Sequence, residues 1–241
     1  MTESPHDSGA GSARAEVPVA FEDPAYLAAV VDLLGAIAYG EMSAFERLAE
    51  DAKMSPTLGD KAELARMAST EFGHFDRLRE RLVELGADPF AAMDPFQKPF
   101  DAFHARTAPA DWLEGLVKAY VGDGLASDFY REIAAFLDTG TRDLIIESLA
   151  DSGQSRFVVD RVRAAIAEDH RIGGRLALWG RRLMGEAHSQ AQRVAAERVA
   201  LSAQLSGGVD RPGMDLAAIG RLFTRLTENH SQRMESLGLS A

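Results

Sequence analysis

The chain has 241 residues, 46% of them hydrophobic, which is enough for one generous domain or two small ones with a real core. Its 26 basic and 37 acidic side chains leave a net charge of 26 − 37 = −11, which argues against a broad, sequence-independent nucleic-acid surface and leaves room only for a local basic patch. There is no cysteine, so thiol catalysis, disulfides and thiolate metal sites are excluded, and His, Asp and Glu are the ligands available to any metal.

Residues 1–22 are small, polar and mildly acidic, and are expected to form a disordered tail ahead of a single helical domain over 23–241. They lack a basic segment followed by an apolar one, and no long hydrophobic span is evident later in the chain. The expectation is a cytoplasmic protein.

Asp23-Pro24 is a good cap and first-turn pair, and apolar residues then recur with helical spacing from Leu27 through Val30, Leu34 and Ile37 to Phe45 and Leu48, predicting a first helix over about 24–51. A second helix, about 60–85, carries Leu64, Met67, Phe75, Leu78 and Leu82 and stops at Gly86, a residue suited to a left-handed C-cap. The following stretch contains Pro89, Pro95, Pro99 and Pro109 among aromatics; it reads as a packed, non-helical crossover along the outside of a bundle. A third helix begins near Asp111 and ends at the turn "DTGTR", and a fourth runs through "DLIIESLADSGQSRFVVDRVRAAIA", closing a four-helix core over about 24–165. Two further helices are predicted, one beyond His170 and one from Met214 to about Leu237, and no segment alternates as a strand does. The chain reads as all-α. The two C-terminal helices exceed what four-helix closure needs, so homodimerisation through them is expected.

Several acids fall on the apolar stripes. Glu41 is the only charge in the middle of the first helix's inward face, and Glu71 and His74 lie one turn apart on that of the second. If the two helices are antiparallel about a turn near residue 55, Glu41 and Glu71 reach one level of the bundle. Taken alone, His74 would be an ordinary hydrogen-bonded core histidine; beside two buried carboxylates, whose desolvation and mutual repulsion a cation relieves, it is a metal ligand. The second helix pair offers Asp151, with Gln154 three residues on where an E-x-x-H motif would place a histidine, and either Asp123 or Asp128. The pseudo-repeat favours Asp123, and Asp128 is alternatively an acceptor that holds a ligand in place. The pattern E…E-x-x-H with D…D-x-x-Q approaches a carboxylate-bridged dinuclear site in a four-helix bundle with one crossover. Tyr120 and Phe129 on the third helix are candidates to line a pocket beside it.

The strings "AYGEMSAFERLAEDA", "MASTEFGHFDRLRERL", "VKAYVGDGLASDFYREIAAFL" and "SLADSGQSRF" resemble the ferritin-like superfamily and, within it, the bacterial tRNA-(2-methylthio-isopentenyladenosine) hydroxylase-like group, over roughly residues 25–240. The resemblance implies a ferritin-like bundle in which Glu41, Glu71, His74, Asp123 and Asp151 match iron ligands, Glu71 and Asp151 bridging. Gln154 stands at the second histidine position. The implied cofactor is two iron ions, with the second position weakened by the amide and manganese an alternative occupant. The implied activity is oxygen-dependent hydroxylation supported by an external electron donor, with tRNA as a substrate by family analogy alone. The competing expectation is a ferritin-like metal-binding or structural dimer with no turnover.

Overall fold

The computed structural model describes residues 23–149, 154–197 and 216–241. Helix α1, Pro24–Asp51, starts where the Asp23 carboxylate accepts hydrogen bonds from the backbone of Ala25 and Tyr26, and it ends in a short 3-10 turn, Ala52–Met54. Helix α2, Leu58–Glu84, is capped by Thr57, whose hydroxyl accepts from the Asp60 amide and donates to the Asp60 carboxylate. Past its end Gly86 takes φ 75°, the left-handed conformation that costs any other residue a Cβ clash. The chain continues through α3, Pro89–Arg106, and α4, Trp112–Ala134, the latter capped by Asp111. Then come α5, Thr139–Ser148, α6, Gln154–Glu168, α7, His170–Glu197, and α8, Leu216–Ser236. Among the described residues there is no strand.

Helices α1 and α2 pair along their length, α4 lies against α1, and α6 packs on α4 to complete the inner bundle. Their shared faces bury Val30, Leu34 and Ile37 from α1, Leu78 and Leu82 from α2, and Leu116, Val117 and Val121 from α4. On its far side α4 is clasped by α7 and α8, which bury Leu176, Leu183, Met234 and Leu237 in the same core. Both C-terminal helices therefore spend apolar surface within the chain. Arg233 of α8 reaches α4, where it donates to the Gly124 carbonyl at 2.7 Å and pairs with Asp128. A Cβ on Gly124 would lie 2.1 Å from Nε of Arg233, so a larger residue there would have to displace that side chain.

Three expectations need correction. The proline-rich segment is not an irregular crossover: α3 is helical through Pro95 and Pro99. Each proline removes one intrahelical bond, but Asp88 caps the helix with Pro89 in its first turn, and Ala92, Met93 and Phe96 bury one face. The contact with α1 is close enough that a Cβ on Gly35 would stand 2.3 Å from the Ala92 carbonyl oxygen. Packing overrides the local cost. The single fourth helix is also two elements, since α5 ends with Leu149 at its C-cap and α6 begins at Gln154; residues 150–153 lie outside those described, as does the N-terminal tail. Finally, α1 with its 3-10 extension is long and apolar enough to cross a membrane, its best window having a mean hydropathy of 1.4. Half of that window is buried inside the protein, so its apolar residues serve the core.

Candidate metal centre

Glu41 stands at the middle of α1, and Glu71 and His74 stand one turn apart on α2, so the antiparallel pairing brings all three side chains to one level. One oxygen from each carboxylate and one ring nitrogen lie within 4.8 Å of one another. Nδ1 of His74 is 3.5 Å from Oε2 of Glu41 and 3.3 Å from Oε2 of Glu71, and the side chains are only 9–12% exposed.

Burial pushes the Glu41 carboxyl up to about 8. The Glu41 carboxylate, and after it that of Glu71, raises His74 to about 9. Both directions favour a proton held within the bare cluster. Nδ1 of His74 is buried, close to two acceptors, and aligned with neither for a hydrogen bond. Two carboxylates and an imidazole nitrogen that converge within 4.8 Å are a donor set that suits a divalent first-row metal. The residues fit one ion.

Of the other sequence-predicted ligands, Asp123 and Asp128 lie among the residues whose side chains are described. Asp123 is exposed on α4 and lies on the wall of the cavity that Glu41 and Glu71 also line; its charge and that of Glu41 both act on Tyr130. It is not part of the three-residue cluster. Asp128 is engaged with Arg233, and with Arg131 at 3.9 Å, so it ties α8 to α4. Asp151 lies outside the described residues, and of Gln154 only its place at the start of α6 is described.

The cavity has a volume of about 320 Å³ and is walled mainly by apolar side chains, Tyr120 and Phe129 among them. Its wall continues past the cluster to Arg47, Asp51, His104 and Lys118, ionisable residues that sequence reasoning passed over. Two signals were present. Asp51 follows Leu48 on the stripe that carries Glu41, and Lys118 interrupts the apolar run "LVKAYV".

Residues 24–208 match the family model of the ferritin-like domain of actinomycetes. The chain belongs to that ferritin-like family. No curated protein matches it. The match covers α1 to α7 and contains the whole Glu41, Glu71 and His74 cluster. A ferritin-like bundle with a carboxylate and histidine cluster between its first two helices is compatible with metal binding.

Proposed function

We propose that this ferritin-like protein is an oxygen-dependent iron hydroxylase that acts on an apolar substrate, with Glu41, Glu71 and His74 holding the metal. The observation that carries this reading is that the two clustered carboxylates also line a cavity of about 320 Å³ with mainly apolar walls. Bound iron supplies activation of dioxygen and removal of hydrogen from an unactivated carbon. The chain's own residues do the rest. Glu41 and Glu71 neutralise the cation, His74 gives up its proton to become a ligand, and the apolar walls exclude water and place the substrate carbon. A second ion would draw on Asp123, on the same wall, with Asp151 and Gln154 completing that position. Manganese suits the same donors.

Anaerobic titration of the metal-free protein with ferrous iron tests the metal site. Saturable binding, followed by oxygen consumption once a reductant is added, supports the reading; failure to take up ferrous iron refutes it. A metal-binding protein without turnover is the second reading, favoured because, among the described residues, three candidate ligands converge and Asp123 stands outside their cluster. Iron uptake without substrate-dependent oxygen consumption would select it. A tRNA substrate is disfavoured by the net charge of −11, and a shift assay with bulk tRNA at low salt decides that point. A cytoplasmic homodimer fits the same reading, with light scattering as its check.

A further inference from the structure

At the end of the cavity away from the Glu41, Glu71 and His74 cluster, a buried acid and a buried base share the wall without joining in an ion pair. Asp51, at the last turn of α1, is 7% exposed, and Lys118 of α4 is 5% exposed. Both lie on the cavity wall, and each senses the other's charge. Yet among the described residues no ion pair within 4 Å joins the two, and no hydrogen bond to the Asp51 carboxylate is seen. Nζ of Lys118 donates one of its three protons, to the Thr107 carbonyl at 2.8 Å. Nδ1 of His104, on the same wall, is buried without a partner. Arg47 is nearby, but its guanidinium lies 3.0 Å from Glu50 and 3.7 Å from Glu46.

The fold makes room for this arrangement. Gly115 sits opposite Asp51, and a Cβ there would lie 3.0 Å from Oδ2 of the carboxylate. Asp51 and Glu41 are ten residues apart on one helix, about 15 Å at 1.5 Å per residue. The space between them is bordered by Leu48, Ala44 and Phe103.

Charge signs choose the ligand. A carboxylate seated here would confront Asp51, and an ammonium would confront Lys118. A neutral group that both donates and accepts satisfies the two together. We infer that the cavity takes an amphiphile with a neutral donor–acceptor head, a primary alcohol or carboxamide, held between Asp51 and Lys118, its apolar body running along α1 toward Glu41. That this ligand is the substrate rests on the function proposed above; its binding does not.

The test uses the full-length, metal-free protein and calorimetric titration with decanol, decanoate and decylamine. Decanol binds at least about tenfold more tightly than either charged analogue. Asp51→Asn removes the like charge and tightens decanoate by at least about tenfold, while Lys118→Met does the same for decylamine. Each gain is confined to one charged analogue, a selectivity that the exposed apolar surface of a misfolded variant would not show. Equal binding of decanol and decanoate by the wild type, no binding of decanol, or an unchanged preference in Asp51→Asn overturns the inference. Iron titration run in parallel separates the two readings: iron uptake without decanol binding defeats this one alone, and decanol binding without iron uptake defeats the metal assignment alone.

Discussion

The cavity has two ionisable ends built from the same helix, and they differ in how their charges are disposed. At Glu41 two carboxylates and an imidazole converge on one point, with Nδ1 of His74 3.3 Å and 3.5 Å from carboxylate oxygens. At Asp51 an acid and a base share the cavity wall without joining in an ion pair. Like charges forced together need a cation to neutralise them, whereas opposite charges held apart need a neutral bridge. Similar burial on one helix thus produces two chemistries, decided by the partner helix. Helix α2 supplies another acid and a histidine, and α4 supplies a lysine.

The sharpest way to break this comparison is to remove one end and measure both. His74→Ala should weaken ferrous iron binding more than about 100-fold, beyond what the loss of an outer hydrogen-bond partner costs, and leave decanol binding unchanged. Lys118→Met should leave iron affinity within about twofold of wild type. Equal losses of iron in both variants would show that the two ends act as one site.

A second contrast is in stability against pH. Burial lowers Lys118 to about 8, below its ordinary value of 10.5. Between those values the unfolded chain binds a proton that the folded chain does not, so stability rises with pH across the window. The gain is on the order of 2 kcal/mol after allowance for solvent relaxation, and Lys118→Met should abolish it. Urea denaturation of both proteins at pH 7.5 and pH 10 reads the difference. Burial raises Asp51 to about 6, so its slope has the opposite sign and lies lower, between its ordinary 3.8 and 6, where the folded chain holds the extra proton.

The smallest effect is steric. Gly115→Ala places a methyl 3.0 Å from the Asp51 carboxylate. It should cost about 1 kcal/mol of stability and weaken decanol binding several-fold without touching iron affinity. A change in iron affinity measured on this variant would mean that the far end of the cavity is coupled to the metal cluster.

The convergence of Glu41, Glu71 and His74 was legible in the sequence because a helix's period fixes which residues share a face. Glu41 interrupts one apolar stripe, Glu71 and His74 interrupt another, and a short turn dictates that the two stripes meet. Gly86 as a left-handed terminus was legible for a similarly local reason. What the sequence concealed depends on tertiary contact. The helicity of α3 is purchased by burying Ala92, Met93 and Phe96 against α1, a gain that no local rule about Pro95 and Pro99 contains. The Arg233 contact that occupies Asp128 comes from 105 residues further along the chain, too far for spacing to reveal. Asp51 and Lys118 were readable as interrupted stripes, but their place on one cavity wall without an ion pair was not.

The central claim is that Glu41, Glu71 and His74 hold a metal ion at the wall of an apolar cavity. Anomalous scattering from a crystal of the full-length protein grown with ferrous iron or manganese tests it directly. The account predicts a peak bonded to Glu41, Glu71 and His74, with the amide of Gln154 the weakest of the further ligands if a second peak is present. A metal-soaked crystal with no density at those three residues, or with its ion bound elsewhere, would contradict it.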